Sequence, residues 1–462
     1  MRQKLSRFIG DKAFYKMVMA VAIPIMIQNG ITNFVSLLDN IMVGQIGTEQ
    51  MSGVSIVNQL IFVFNLCVFG GMAGAGIFTA QFYGKGQDEG VRATFRFKVW
   101  VGILILFAGL AVLLTMGKTL VLQYLRGSAD GGDPALALQY GMDYLRVILF
   151  GLPAFVIVQI YADTLRECGE TVVPMRAGLV SVMVNLAFNY LLIFGRFGFP
   201  QLGVVGAAAA TCISRYVEML IVVIWTHTHA KKHPFVHGLY RTMRIPLSLT
   251  GQIIRKGMPL LVNEFLWSSG MAFLTQCYSM RGLGTVAAMN ISNTINNVFI
   301  IGFLAMGTAV SIIVGQLLGA GKIEEAKATD TRLLFFTVML SAGLALVMMA
   351  TAPLFPKLYN TTEEIRALAA RLMIVSAAFM PVSAFNNATY FTLRSGGKTM
   401  ITFLFDSGAL WAVTIPTAYI LSRFTAIDPV WMMLCVNSTD LIKSLVGYVM
   451  VKKGGWAVNM VS

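Results

Sequence analysis

Residues able to do chemistry are few in this chain, and each stands nearly alone. Asp39, in SLLDNIMVGQIGTEQ (36–50), is the first charged residue after Lys16. A carboxylate at the centre of an apolar span costs ~2.5–3.5 kcal/mol on insertion scales, and such residues usually mark function. Low-dielectric surroundings favour the uncharged form of an acid, so a carboxyl there is suited to taking up and releasing a proton. Gln28, Asn29 and Asn33 share the segment. Asn29 and Asn33 are four apart and so lie on one helical face, with Ser36 three further on. The plainer reading of Asp39 is a cap for the next helix.

Other polar groups stand at similar spacings. Asn185 and Asn189 are four apart in NLAFNYLLIFG (185–195), and Thr211 lies further along the chain. They can serve the ion chemistry of Asp39, or simply hold helices together at ~1 kcal/mol each. Glu264 follows Pro259 in MPLLVNEFLWSSG, beside Asn263 and Trp267. Asn386 and Asn387 sit in PVSAFNNATYF. Glu264, Asn386, Asn387 and Asn33 form a second group suited to a cationic substrate; alternatively Glu264 pairs with an Arg or Lys. Asp406 is a further isolated acid with no assigned role. Arg215 with Glu218, and Asp440 with Lys443, are three apart and are expected to neutralise each other. Pro24 and Pro259 each remove a backbone donor and make bending cheap.

The elements that must position these groups are apolar. Hydrophobic residues make up 56% of the 462, charged residues 12%, and mean hydropathy is +0.72. Soluble domains carry about 25% charge. VGILILFAGLAVLLTM (101–116) and FFTVMLSAGLALVMMATAPLF (335–355) have no polar face. Apolar segments fall near 17–42, 53–80, 99–117, 144–165, 177–195, 204–225, 258–280, 286–318, 333–355, 372–393, 400–421 and 430–451. A helix needs ~20 residues to cross a bilayer, so the expectation is an all-α integral membrane protein of twelve spans.

The net charge of +14 does not point to nucleic acid, because its placement follows the positive-inside rule. With the N-terminus inside, the cytoplasmic segments hold Arg2, Lys4, Arg7, Lys12 and Lys16, then Lys85, Arg92, Arg96 and Lys98. The middle join adds Lys231, Lys232, Arg241 and Arg244; outside loops hold few bases. Both termini are thus expected in the cytoplasm, in the cell membrane, with no cleaved leader. All four histidines (His227, His229, His233, His237) lie in HTHAKKHPFVHGLYRTMR (227–244). No Cys or carboxylate nearby completes a metal-ligand set, so the join reads as a solvated basic loop at the membrane surface. The five cysteines form no CxxC pair and imply no disulfide framework.

The chain repeats itself. Gln81, Gly84 and Gly86 in TAQFYGKGQDEG match Gln316, Gly319 and Gly321 in IVGQLLGAGKIEEA, and the same offset carries Pro24 onto Pro259. DTLRECGET (163–171) matches FTLRSGGKT (391–399) through Thr164, Leu165, Arg166, Gly169 and Thr171; at that spacing Pro153 falls on Pro381. Two six-helix lobes follow, 1–230 and 251–462, joined by a cytoplasmic linker at 231–250. An even number of spans per half makes them parallel repeats, an architecture that binds substrate near the midplane.

An acid on the first segment followed by DNIMVGQIG, the TLRECGETVVPM turn, NLAFNYLLIFG and GVVGAAAATCISR (203–215), in this order and with the halfway duplication, resembles the multidrug and toxic compound extrusion (MATE) family over essentially the whole chain. The resemblance implies a V-shaped exporter around a central cavity. Its function would be export of amphipathic organic cations against H⁺ or Na⁺ by alternating access. It places Asp39 as the ion-coupling carboxylate, with Na⁺ a possible occupant. In one branch of the family an Asp stands where this chain has Asn189, so a two-acid relay is not expected. The second-lobe sodium site of some members needs a tenth-segment Asp, where this chain has Asn386 and Asn387. The other reading within the superfamily is a flippase for lipid-linked oligosaccharides, which would need several bases in mid-span. An enzyme is not expected, since no HExxH, GxSxG or Walker-type loop occurs. No cofactor beyond the coupling ion is implied. The expected partners are drug-like small molecules and lipid, not nucleic acid, around a monomer. Twenty-eight methionines and an aromatic share of 11% suit an adaptable cavity wall.

Overall fold

The computed structural model describes residues 8–126, 133–359 and 361–462; the side chains of Ser36, Leu37, Asn40, Arg126 and Leu283 also lie outside the description. Arg2, Lys4 and Arg7 therefore fall outside the described residues. Among those described there is no strand, and twelve long helical segments follow one another. They are α1 (Lys12–Gly44), α2 (Thr48–Lys85), α3 (Asp88–Arg126), α4 (Pro134–Glu167), α5 (Val172–Phe194) and α6 (Val204–Thr228). After the join come α7 (Leu247–Ser279), α8 (Leu283–Gly319), α9 (Ile323–Thr351), α10 (Glu363–Ser395), α11 (Thr399–Phe424) and α12 (Pro429–Lys453). Eleven are long and apolar enough to cross a membrane; α7, which carries Arg255, Lys256 and Glu264, is long enough but less apolar. The chain is a multi-pass membrane protein.

The helices overrun the apolar segments because polar residues start and stop them. Asp133 caps α4 by accepting from the Ala135 amide at 2.8 Å, with Pro134 at the first helical position. Asp428 does the same for α12 through Val430, ahead of Pro429. Gly195 and Gly454 end α5 and α12 in the left-handed conformation, at φ 66° in both cases. Pro24 and Pro259 lie inside α1 and α7, which continue through them. In α4 the helix passes through a 3₁₀ turn at Leu149–Gly151 just before Pro153. In α11 two π-helical stretches, Leu404–Gly408 and Leu410–Thr414, replace regular helix.

The residues group into two compact units. The first unit comprises Ile27–Thr79 and Gln87–Ile253; the second comprises the chain up to Met26, Ala80–Gly86 and Ile254–Ser462. In the first, α5 packs along α6, and the core is built of residues such as Met72, Phe95, Leu145, Leu165 and Ile193. In the second, α8 packs along α10, and Phe14, Val18 and Ala22 of α1 join Met306, Val310 and Leu333 in one core. The outward faces stay apolar: Leu104, Phe107 and Leu114 of α3 are each more than 60% exposed, as lipid-facing side chains are.

The join between α6 and α7 exposes its bases, among them Lys231, Lys232, Arg241 and Arg244, as the solvated-loop reading expects, but it also packs an apolar side inward. Phe235, Val236, Leu239 and His233 are all buried. Arg96 of α3 donates to the Leu239 carbonyl at 2.9 Å and to the Gly238 carbonyl at 3.1 Å. Arg92 donates to the His237 carbonyl at 2.6 Å, and the Trp100 indole to that of Met243 at 3.2 Å. The bases that the sequence assigned to topology alone thus hold the join in place, because backbone carbonyls of a packed loop must find donors. Lys98, counted with them, is fully buried against Glu167 and Thr164.

The repeated motifs meet each other within the second unit. A Cβ on Gly84 would stand 1.9 Å from the Gln316 carbonyl oxygen, and one on Gly319 would stand 1.9 Å from that of Gln81. Backbone therefore touches backbone where the ends of α2 and α8 cross. Gln81 donates to the Ser395 and Val458 carbonyls at 3.0 and 3.2 Å and accepts from the Met460 amide at 2.8 Å.

Candidate functional site

The first unit holds a cavity of about 430 Å³. Its wall carries Asp39 of α1, Asn58, Gln59 and Asn65 of α2, Tyr144 of α4, Asn189 of α5, and Thr211 and Arg215 of α6. Asp39 is half-buried at this wall, not at a helix cap.

A chain of hydrogen bonds runs from Asp39 across two helices. The Asn189 amide nitrogen donates to Asp39 Oδ1 at 2.5 Å and to Asn185 Oδ1 at 3.1 Å. The Asn185 amide in turn donates to Thr211 Oγ1 at 3.3 Å, and Thr211 donates to the Ala207 carbonyl at 3.1 Å. The spacing of four along α5 puts both amides on one face, and burial of that face against α6 brings Thr211 to them. Asn189 is 1% exposed, yet its Oδ1 has no partner among the described residues. That oxygen is an acceptor left over next to a carboxylate. A buried acceptor without a donor costs about 1–3 kcal/mol, which a proton-bearing or cationic partner relieves.

Arg215 lies within electrostatic reach of Asp39. Its guanidinium is held by Glu218 at 3.0 Å and stands 5.5 Å from the Phe155 ring centre. The Arg215–Glu218 pair thus forms as the spacing suggests, with its base also facing the cavity. Asn58 accepts from the Tyr144 hydroxyl at 3.2 Å. The α2 amides were missed in the sequence, although Ser55, Asn58 and Asn65 at spacings of three and seven trace one face of an apolar helix.

The other sequence-selected residues lie elsewhere. Asn33 is exposed and is not part of the cavity wall; the side chain of Ser36 lies outside the described residues. Gln28 accepts from Arg166 at 2.9 Å, in a group with Asp163 and Gln159, rather than accompanying Asp39. In the second unit Asn386 is tied to α12, donating to the Asp440 carbonyl at 3.1 Å and accepting from Ser444 at 2.8 Å. Asn387 Oδ1 is buried with no partner among the described residues. Glu264 is within electrostatic reach of Arg394 and Asp406. Lys443 does not pair with Asp440 as the spacing of three suggests. It bonds Asp406 across to α11 at 2.6 Å, because the π-helical turn brings that carboxylate to it.

The join's histidines pack against aromatic groups. His229 stacks on Trp225 with centroids 4.4 Å apart, and His227 lies 3.0 Å from the Tyr161 hydroxyl. Burial, reinforced by neighbouring Lys232, pushes the His233 imidazole below its ordinary value.

Comparison with known proteins agrees with the doubled helix pattern. The MatE family profile matches twice, over residues 24–191 and 259–420, which begin at Pro24 and Pro259. The probable multidrug resistance protein YoeA of Bacillus subtilis (strain 168) is 26% identical over 413 residues, 88% of this chain and 86% of that protein. The fold matches a variant of the Vibrio cholerae MATE transporter VcmN with a TM-score of 0.85, at 17% identity over 96% of this chain and 98% of that one. It matches an outward-facing multidrug resistance MATE family transporter of the MOP superfamily at 0.83, with 21% identity over 96% and 97%. With the profile covering both halves of a twelve-helix chain, the chain belongs to the MatE family, whose members are membrane transporters.

Proposed function

We propose that this protein exports amphipathic organic cations from the cell in exchange for H⁺ or Na⁺, with Asp39 as the residue that binds the coupling ion. The observation that carries the reading is the Asp39–Asn189–Asn185–Thr211 chain on the wall of the 430 Å³ cavity. The likeness to a probable multidrug resistance protein supports the cargo class. The protein works in the cell membrane as a monomer, with both termini in the cytoplasm.

The ionised Asp39 attracts a cationic cargo and holds the Asn189 amide by its nitrogen. When Asp39 takes up an ion, that attraction is lost. A proton on the carboxyl needs an acceptor, and the spare Asn189 Oδ1 supplies one when the amide turns. For Na⁺, the same rearrangement offers carboxylate, amide and hydroxyl oxygens, which suit a hard cation. The cargo leaves, the loaded site returns, and the ion is released inside: alternating access. One charge crossing 100 mV is worth ~2.3 kcal/mol, and ~1.4 kcal/mol is tenfold in concentration, so one ion sustains a gradient of order tens-fold for an uncharged cargo. Exchange of one ion for one monovalent cargo is electroneutral and draws only on the ion's own concentration gradient.

The flippase reading would require several bases to meet phosphates. Arg215 is the one cationic side chain among the residues lining this cavity, and Glu218 already holds it.

The test is efflux of a fluorescent cation from cells expressing Asp39→Asn. Efflux should fall to the level of cells without the protein at equal expression; wild-type efflux would refute the assignment. Proteoliposomes given a sodium gradient alone, at clamped pH, then separate Na⁺ from H⁺.

A further inference from the structure

The second unit contains an acid that the proposed transport cycle does not use. Asp406 lies on the π-helical stretch of α11, and both of its oxygens are engaged. Oδ1 accepts from the Lys443 ammonium at 2.6 Å, and Oδ2 from the Asn263 amide of α7 at 3.1 Å. Asn263 is locked in turn: its Oδ1 accepts from the Ser407 hydroxyl at 2.7 Å and from the Ser407 amide at 3.3 Å. The Lys443 ammonium also stands 5.1 Å from the Phe405 ring centre. A π-turn is a costly local geometry that recurs at functional sites, and here it aims Asp406 and Ser407 together at α7 and α12.

Even with Lys443 in place, the charges around this point keep one acid in excess. Asp406 of α11 lies in electrostatic reach of both Glu264 of α7 and Asp440 of α12; Tyr390 of α10 is in reach of Glu264 and Asp406, and Arg394 of α10 is in reach of Glu264. Arg394 acts on Glu264, and Lys443 on Asp440 as well as on Asp406. Taking away the ammonium would leave three acids facing one base in poorly solvated surroundings. A carboxylate bared in that way takes a cation or a proton. The contrast with Asp39 is direct: the first-unit acid has a neutral amide as its partner, and the second-unit acid has a fixed ammonium.

We propose that Lys443 is a tethered cation filling a monovalent-cation site made by Asp406, Ser407 and Asn263, so that this site is closed to the coupling ion. Lys443 is then a specificity-determining residue: it keeps the coupling ion off Asp406. This consequence rests on the Asp39 reading, while the presence of a latent site on Asp406 does not.

The experiment measures cation binding by the purified full-length protein. Its probes are radioactive Na⁺ at about pH 8, where carboxyls are ionised, and carboxyl protonation by infrared titration. The variants are Asp39→Asn, Asp39→Asn with Lys443→Met, the same pair with Asp406→Asn, and Asp39→Asn with Lys443→Arg. Binding should be absent in Asp39→Asn and should return to one cation per chain, as Na⁺ or as a proton, on adding Lys443→Met. It should vanish again with Asp406→Asn and never appear with Lys443→Arg. Lys443→Gln, which keeps a polar head, gives an independent measurement where the Met variant folds poorly. A monodisperse Lys443→Met or Lys443→Gln protein that gains neither Na⁺ nor a proton overturns the proposal, as does a gain that survives Asp406→Asn. Cation binding that persists in Asp39→Asn overturns the proposal if adding Asp406→Asn removes it and counts against the Asp39 reading if it does not, and the step to the Lys443→Met derivative still reports on Asp406.

Discussion

Asn189 is the side chain on which the first-unit arrangement turns, since one amide nitrogen serves both Asp39 and Asn185 while its oxygen is unused. Hydrogen bonds to charged groups are worth about 1.5–3 kcal/mol. Asn189→Leu, similar in shape, should therefore shift the half-saturating ion concentration for efflux in proteoliposomes by roughly ten- to hundredfold. An unchanged ion dependence would show that the amide is only a helix contact. His233 permits a prediction about stability. It is buried, neither ring nitrogen has a partner among the described residues, and burial lowers its affinity for protons. Unfolded His titrates near pH 6.5. Below that point the unfolded chain binds a proton that the folded chain resists, so stability present at neutral pH is lost as pH falls. His233→Phe should flatten the dependence of melting temperature on pH between about pH 5 and 7.5; a parallel curve would refute it. Asp39, Asn185 and Asn189 were legible because polar residues are rare here and a spacing of four fixes a common face. Asn58, Gln59 and Asn65 were passed over because they are scattered through apolar neighbours. The choice of Lys443 between Asp440 and Asp406 depends on a π-turn that spacing cannot reveal.

Among the elements, the twelve apolar segments and their order were legible from hydropathy, as were the prolines inside α1 and α7. Helix ends were not, because polar caps extend the helices past the apolar stretch. The join between α6 and α7 was read only in part, for a related reason. A basic, His-rich stretch looks solvated by composition, but its apolar residues pack and its carbonyls recruit Arg92 and Arg96. Arg96→Ala should release this element: hydrogen exchange across 233–243 should rise by at least tenfold, with the helices of the first unit little changed. Unaltered exchange would mean that packing of Phe235 and Leu239 suffices without the guanidinium.

For the molecule as a whole, the duplication was the clearest message of the sequence, and the family profile starts its two matches on the paired prolines. What alignment alone could not reveal is that the repeated Gln-x-x-Gly motifs touch. Gly84→Ala or Gly319→Ala should each destabilise the protein by about 1–3 kcal/mol or more, since backbone cannot yield as a flexible side chain does. The measurement is thermal unfolding in detergent, and a variant as stable as wild type would contradict the contact. Because each glycine rests on the carbonyl next to its counterpart's helix turn, the crossing is reciprocal: what one repeat offers, the other accepts. A half-length polypeptide meeting a second copy of itself could form the same crossing, the isologous geometry that two-fold dimers share. The seam where Gly84 and Gly319 abut therefore has the form expected of an ancestral homodimer later fused into one gene.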